Sequence, residues 1–135
     1  MISGFATNLH GYSRATNDMD IWIEDTIPNR KNLRKALQEQ GSGDYPPIET
    51  MNFISGCTDF QLNMVFKLYI ITSVKGLDNI GFEECYNFAV AAEIEAVMVR
   101  FLHYKHLITA KKSNRKAKRS FRYRRIGKNQ NCCRW

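Results

Sequence analysis

Long hydrophobic runs are missing from this sequence, and their absence argues against a membrane-spanning protein. No apolar stretch approaches the roughly 18 to 20 residues that a membrane-spanning helix needs. Met1 is not followed by the basic segment and apolar core of a secretory signal. We therefore expect a cytoplasmic protein that does not enter a membrane.

Cysteines are few and poorly placed for structural roles. The chain has four, Cys57, Cys85, Cys132 and Cys133, and none shows the CxxC spacing of a zinc site. Adjacent cysteines are strained partners for a disulfide with each other. The sequence therefore predicts free thiols.

Acidic residues are absent from the end of the chain. Residues 111–135, the basic tail, contain eleven Lys and Arg and no acid, whereas residues 1–110 contain nine Lys and Arg against thirteen acids. The net charge of +7 therefore resides in the tail. Within it, Phe121 and Tyr123 lie between arginines in "RSFRYRR", a composition typical of nucleic-acid contacts. We expect nonspecific nucleic-acid binding at low salt.

The remaining composition is that of one globular domain. The chain has 135 residues, 44% apolar and 12% aromatic, which is enough for a single core. Local patterns predict interleaved helices and strands, and thus an α/β (α+β) fold with a mixed sheet flanked by helices. The predicted helices are "FATNLHGY" closed by Gly11, residues 28–40, "GFEECYNFA" as a helix or turn, and "YKHLITAKK" with Leu107 and Ile108 buried. The predicted strands are "DMDIWIE", "TDFQL" and "KLYIITSV", with a hairpin from "AVAAEI" and "AVMVRFL".

Two aspartates in "TNDMDIWIE" are the first chemical signal. In a strand, Asp18 and Asp20 project from the same face, whereas Met19 and Ile21 project from the other. Two carboxylates so close repel each other unless a cation lies between them. Mg²⁺ prefers oxygen ligands and is commonly held by one or two carboxylates with waters and phosphates. A solvated strand end is the simpler alternative for this pair.

A turn at Ser3 and Gly4 strengthens the metal interpretation. It precedes a helix, and backbone N–H groups at such a start form a site for an anion such as triphosphate. The turn and the aspartates thus form two halves of one predicted phosphate and metal site.

The segment "SGFATNLHGYSRATNDMDIWIE" resembles the signature of the nucleotidyltransferase superfamily, the fold of DNA polymerase beta and aminoglycoside nucleotidyltransferases. That signature is a strand, a glycine-rich turn, a short helix and an acid-x-acid strand. The segments "FQLN", "ITSVKGL", "GFEECY" and "VRFLHYKHLITAKKSNRKAK" are similar to bacterial nucleotidyltransferase-like proteins related to abortive-infection and toxin–antitoxin systems. The resemblance covers roughly residues 1–118.

The resemblance implies specific roles. Asp18 and Asp20 match the metal-binding carboxylates, and Ser3 and Gly4 match the nucleotide-binding turn, with serine in place of the usual first glycine. Arg14 is either a triphosphate contact or a solvated loop residue. Many relatives carry a third carboxylate on a later strand, and its expected position here holds Tyr69, a poor magnesium ligand and base.

Other candidates carry weaker signals. Asp59 is an alternative third carboxylate, and His10 is either structural or near a phosphate. His103 and His106, three residues apart, are predicted to share a helix face without a third metal ligand. We expect Trp22 and Phe60 in the core or at its rim. Relatives also carry basic residues at the positions of Lys111, Lys112, Arg115 and Lys118.

Both ends of the chain depart from the resemblance. Relatives begin with a helix and a full strand before the turn, so we expect a truncated start. Beyond "KSNRKAK" they continue with an acidic amphipathic helix, whereas this chain reads "RSFRYRRIGKNQNCCRW". Removing one A from a suitable set of codons turns Lys118–Trp135 into KDLFDIEELEKIRTAVD, which predicts a frameshift. The expected organisation is a domain over 1–110 and a basic tail over 111–135, poorly ordered from about 119.

The function that the resemblance implies is Mg²⁺- or Mn²⁺-dependent transfer of a nucleoside monophosphate from an NTP to a hydroxyl of RNA, protein or a small molecule. Two alternatives stay open. One is a catalytically inactive remnant or binding module, because the third carboxylate is missing. The other is a basic nucleic-acid-binding protein that acts through residues 111–135.

Overall fold

The computed structural model describes residues 1–13, 15–53, 58–61 and 67–121. Within these ranges the chain folds into a mixed α and β structure, which confirms the predicted class. In chain order the elements are α1 (Ser3–Leu9), β1 (Asp18–Trp22), α2 (Ile27–Glu39), a 3₁₀ helix (Pro46–Glu49), β2 (Thr58–Gln61), β3 (Lys67–Ile71), α3 (Phe82–Asn87), β4 (Val90–Ile94), β5 (Val97–Phe101) and α4 (Tyr104–Phe121). No helix in the described ranges has the length and apolar character needed to cross a membrane.

A three-stranded sheet occupies the centre, with the strand order β1-β3-β2. β1 and β3 run parallel, whereas β2 and β3 run antiparallel, so the sheet is mixed as predicted. Trp22 pairs with Ile71 at one end of the β1–β3 ladder and Asp18 pairs with Lys67 at the other.

Apolar clusters cover both faces of this sheet. Ile70 and Ile71 are neighbours on β3, each only 1% exposed, yet they belong to different clusters because successive side chains point to opposite faces. Ile70 packs with Leu37 of α2 and Ile48 of the 3₁₀ helix. The cluster around Ile71 draws on α1, α3, β5 and α4. The central strand is therefore enclosed by helices on both sides.

The second helix matches its prediction closely. We predicted residues 28–40 and observe Ile27–Glu39. The Thr26 hydroxyl accepts a hydrogen bond from the Asn29 N–H at 3.4 Å, and Pro28 lies in the first turn where no donor is needed. Arg34 then joins the helix to the segment that follows, through ion pairs with Asp44 at 2.6 Å and Glu49 at 2.8 Å.

The predicted hairpin is present as β4 and β5. Its two-residue turn consists of Glu95 and Ala96, with φ angles of 49° and 65°. Positive φ at both positions is the geometry of a type I′ turn, whose twist matches that of the flanking strands. Glu95 and Ala96 thus occupy positions where asparagine and glycine are preferred.

One detail of the last helix differs from the prediction. Ile108 was predicted to be buried with Leu107, but Ile108 is 38% exposed and Leu107 only 4%. The buried side of α4 is formed by Leu107 and Ala110, which are three residues apart, and Ile108 lies about 100° away around the helix. His103 immediately precedes α4, which begins at Tyr104, and its carbonyl accepts a hydrogen bond from the Leu107 N–H at 3.0 Å.

Candidate metal and phosphate site

The two aspartates lie together at the start of β1, as predicted. Asp18 is exposed and Asp20 is half-buried. Met19 and Ile21 point to the opposite face, where they pack against the cluster of Ile70. The alternation of the strand therefore directs both carboxylates to one face of the sheet.

The Ser3–Gly4 turn is attached directly to this strand. The Ile2 N–H donates a hydrogen bond to the Asp20 carbonyl at 3.0 Å, immediately before Ser3 opens α1. The Ser3 carbonyl accepts a hydrogen bond from the Thr7 hydroxyl at 2.7 Å within the first turn. The two halves of the predicted site are thus neighbours in the fold, although 14 or more residues separate them in the chain.

Gly4 permits the close approach between the turn and the aspartate strand. A Cβ atom at Gly4 would lie 2.8 Å from Thr16 Cγ2 and 2.9 Å from Thr16 Cβ, closer than carbon atoms can pack. Thr16 in turn exchanges hydrogen bonds with the backbone of Asp18, at 3.2 and 3.3 Å. Sequence reasoning did not find Thr16, because no local pattern shows that it contacts Gly4.

Helix α1, which the turn begins, packs against the last helix. Ser3 is 5% exposed and Thr7 8% exposed. The Lys111 ammonium of α4 donates a hydrogen bond to the Thr7 hydroxyl at 2.8 Å. A basic residue of α4 therefore belongs to the folded domain and reaches the helix that the Ser3–Gly4 turn begins.

Tyr69 occupies the position opposite Asp20 on β3. Asp59 lies opposite Tyr69 on β2, so the three residues form one row across the sheet on the same face. Neighbouring strands lie about 4.8 Å apart, which places the Asp59 backbone about 10 Å from that of Asp20. Tyr69 lies between the two aspartates in this row.

The alternative that Asp59 supplies the third carboxylate is therefore not supported. In the described ranges, no group of three or more Asp, Glu, His or Cys side chains is close enough to hold a metal ion. The register partner of Asp18 on β3 is a basic residue, Lys67. Only the strand register shows the positions of Lys67 and Tyr69 beside the aspartates, and the sequence does not encode that register locally.

The histidines form an aromatic group apart from the carboxylates. His10 Nε2 is 3.0 Å from the Leu102 carbonyl oxygen, which is a structural contact. Ring centroids lie 6.5 Å apart for His10 and His103, and 6.2 Å apart for His103 and His106. In the part of the chain that the structure describes, these rings belong to no group of three side chains that could hold a metal ion.

The remaining candidates have structural surroundings or lie outside the described residues. Trp22 donates its indole N–H to the Thr72 carbonyl at 3.3 Å, and the ring of Phe60 packs edge-on against Tyr45 with centroids 5.7 Å apart. Cys85 is a buried free thiol, as predicted, and its burial, with a smaller contribution from the Glu84 carboxylate, raises its pKa. Outside the described residues lie Arg14, Cys57, Tyr123, Cys132 and Cys133.

The fold and the site together define a mixed α and β protein with paired carboxylates on one face of its central sheet. No protein-family model, curated protein or solved structure matches the chain.

Proposed function

We propose that the protein is nucleotidyltransferase-like and transfers a nucleoside monophosphate from an NTP to a hydroxyl acceptor with the aid of Mg²⁺ or Mn²⁺. The observation that carries the proposal is the attachment of the Ser3–Gly4 turn to the aspartate strand, through the hydrogen bond from Ile2 to Asp20. That bond joins the Ser3–Gly4 turn to the strand of Asp18 and Asp20, which supports the proposal.

The residues fit a magnesium ion. Asp18 and Asp20 share a face of β1, and one or two carboxylates are the usual protein share of a magnesium site, the rest being waters and phosphates. The ion, when bound, offsets the negative charge that develops on the transferring phosphoryl group. Ser3 and Gly4 would orient the triphosphate beside these carboxylates.

The proposed reaction exchanges one phosphorus–oxygen bond for another. The acceptor oxygen forms a bond to the α-phosphorus, the bond to the pyrophosphate oxygen breaks, and the proton of the hydroxyl passes to solvent. Tyr69 is a weak base at neutral pH and lies opposite Asp20, where the resemblance predicts a third carboxylate. We therefore expect a transfer rate below that of nucleotidyltransferases that have three carboxylates.

The same tyrosine favours a second candidate, a protein that binds the metal and NTP without transfer. In that case Asp18 and Asp20 still hold the metal, and only the acceptor step is lost. Replacing Tyr69 with aspartate places a carboxylate opposite Asp20 and separates the two candidates.

Incubation with the four α-³²P-labelled NTPs, Mg²⁺ and total RNA tests both candidates, with label followed on RNA and on the protein. We expect transfer by the parent and a loss of roughly a hundredfold or more in D18N and D20N, because each removes a metal ligand. D59N is the matched control, on the same sheet face but two strands from Asp20, and should retain activity.

The outcomes separate the candidates. If the parent binds NTP in a magnesium-dependent way without transfer, and Y69D gains transfer, the second candidate is correct. If neither protein transfers label and neither binds NTP in a magnesium-dependent way, both candidates are wrong.

A further inference from the structure

The outer edge of strand β4 carries no strand partner in the part of the chain that the structure describes, where β4 pairs with β5 alone. Four of the five residues of β4 are exposed, and only Ala92 is half-buried. On the far side of β5, the Met1 nitrogen donates a hydrogen bond to the Arg100 carbonyl, so β5 separates the outer edge of β4 from Met1. Exposed strand edges are templates for pairing with another chain.

The hairpin turn determines which backbone groups of β4 point outward. The two residues that flank a two-residue turn exchange both backbone hydrogen bonds, and such pairs alternate with unbonded pairs along the ladder. Ile94 and Val97 flank the turn, so every second residue of β4, counted back from Ile94, bonds to β5. The N–H and C=O groups of Ala91 and Glu93, which lie between these positions, therefore point to the outer edge.

This pattern lets the edge pair with its own copy. Two antiparallel β4 strands that meet at Ala92 place Ala91 of each copy opposite Glu93 of the other. Each of these two pairs exchanges two backbone hydrogen bonds, so the outward groups of both residues are satisfied. The axis through Ala92 is twofold, and a twofold contact closes on itself instead of growing into a filament.

The apolar side chains of β4 match in the same register. Val90 and Ile94 lie on one face of the strand, and they are 37% and 47% exposed. In the twofold arrangement Val90 of each copy lies opposite Ile94 of the other. Cross-strand pairs of β-branched residues stabilise a sheet, so both ends of the paired segment gain contacts.

The charged side chains match on the opposite face. Arg100 of β5 is the register partner of Ala91, so Arg100, Ala91 and Glu93 of the second copy form one row across three strands. The strands are about 4.8 Å apart, and the short side chain of Ala91 leaves the two long side chains room to meet above it. The Arg100 guanidinium lies 4.7 Å from the centre of the Tyr86 ring. Within the described ranges, no salt bridge joins Glu93 or Arg100 to another residue.

We propose that the outer edge of β4 binds the same edge of a second copy of this chain, which joins the two hairpins into one four-stranded antiparallel sheet. The charge match identifies a second copy as the occupant, because one hairpin supplies both Glu93 and Arg100 at positions that the twofold axis brings together. The proposal does not rest on the proposed transfer reaction, and β4 contains none of the residues assigned to that reaction.

Sedimentation velocity of the full chain over a range of concentrations tests the proposal. We expect a reversible equilibrium between monomer and dimer for the parent. A91P removes an N–H that faces the outer edge but none that pairs with β5. Because the twofold axis repeats the loss, A91P should weaken dimerisation by on the order of tenfold or more.

Charge reversal supplies a test that does not depend on the fold of A91P. E93R and R100E should each weaken dimerisation by on the order of tenfold, because like charges then meet in both rows. An equimolar mixture of the two variants should dimerise as strongly as the parent, because opposite charges meet again in each row of the mixed dimer. E39R, the same reversal at an exposed residue of α2, should dimerise as the parent does.

Three results would overturn the proposal. The first is a parent that stays monomeric at every concentration, in which case Glu93 is a charge that keeps the edge unpaired. The second is a dimer that A91P, E93R and R100E leave intact, or that E39R weakens equally. The third is a mixture of E93R and R100E that associates no better than either variant alone, which would show that the two charges do not meet across an interface.

Discussion

Ser3 has an unfavourable backbone conformation and lies in the turn of the proposed site. Its φ angle is 60°, a left-handed conformation that costs a residue with a side chain about 1 to 2 kcal/mol. The next residue, Gly4, has no room for a Cβ beside Thr16. Both positions of the turn therefore favour glycine for different reasons, the first because of its dihedral angle and the second because of close packing.

Replacing Ser3 with glycine should stabilise the protein. The cost of the left-handed conformation disappears. The greater freedom of glycine in the unfolded chain lowers the free energy of unfolding by about 0.4 to 1 kcal/mol, which offsets part of the gain. We expect the free energy of unfolding to rise by about 0.5 to 1 kcal/mol in S3G, measured as a higher midpoint in urea denaturation.

The control for this variant is S13G. Ser13 is exposed and is not among the residues with positive φ, so glycine there gains nothing in the folded state. A lower midpoint for S13G and a higher one for S3G would agree with the backbone argument. Equal losses in both variants would show that the Ser3 conformation carries no penalty.

At the scale of elements, sequence periodicity predicted most of the structure. "DMDIWIE" alternates and became β1, and the apolar stripe of Leu33, Ala36 and Leu37 predicted α2 within one residue at each end. These patterns are local, because each element buries one face or stripe. The 3₁₀ helix at Pro46–Glu49 was not predicted, because the glycines and prolines of "GSGDYPP" were interpreted as the end of α2. The exposure of Ile108 also escaped prediction, because it depends on which side of α4 meets the core.

The hairpin offers a test at this scale. In A96G, glycine replaces a residue whose φ angle is 65°, so the strained turn is relieved and the β4–β5 pair should become more stable by about 0.5 kcal/mol. Urea denaturation of the whole protein measures the change.

A91G is the matched change within the hairpin, because Ala91 is exposed in the middle of β4. Glycine in a strand costs about 0.5 to 1 kcal/mol, so the midpoint should fall. A fall in both variants would contradict the assignment of strain to the turn.

At the scale of the whole molecule, the site depends on contacts that no local pattern encodes. The approach of Gly4 to Thr16, the bond from Ile2 to Asp20 and the contact of Lys111 with Thr7 join residues far apart in the chain. The sequence identified Asp18, Asp20, Ser3 and Gly4, but only the order of strands shows that Tyr69 lies beside Asp20 and Asp59 beyond it. Residue types were predictable, whereas their neighbours were set by the tertiary fold.

Part of the predicted basic tail belongs to a helix of the folded domain. The predicted boundary at residue 110 falls inside α4, which runs from Tyr104 to Phe121. Lys111 is thus part of the packed domain, where it donates a hydrogen bond to Thr7. Nucleic-acid binding by the basic tail stays a prediction, and residues 122–135 lie outside the described ranges.

Magnesium-dependent binding of a fluorescent ATP analogue, mant-ATP, is the most direct test of the proposed site. If Asp18 and Asp20 hold the metal beside the Ser3–Gly4 turn, Mg²⁺ should increase the affinity of the parent and of D59N for mant-ATP. The increase that Mg²⁺ produces in D20N should be smaller by a factor of at least about ten. Equal losses in D20N and D59N, or an affinity that Mg²⁺ leaves unchanged in the parent, would contradict the account.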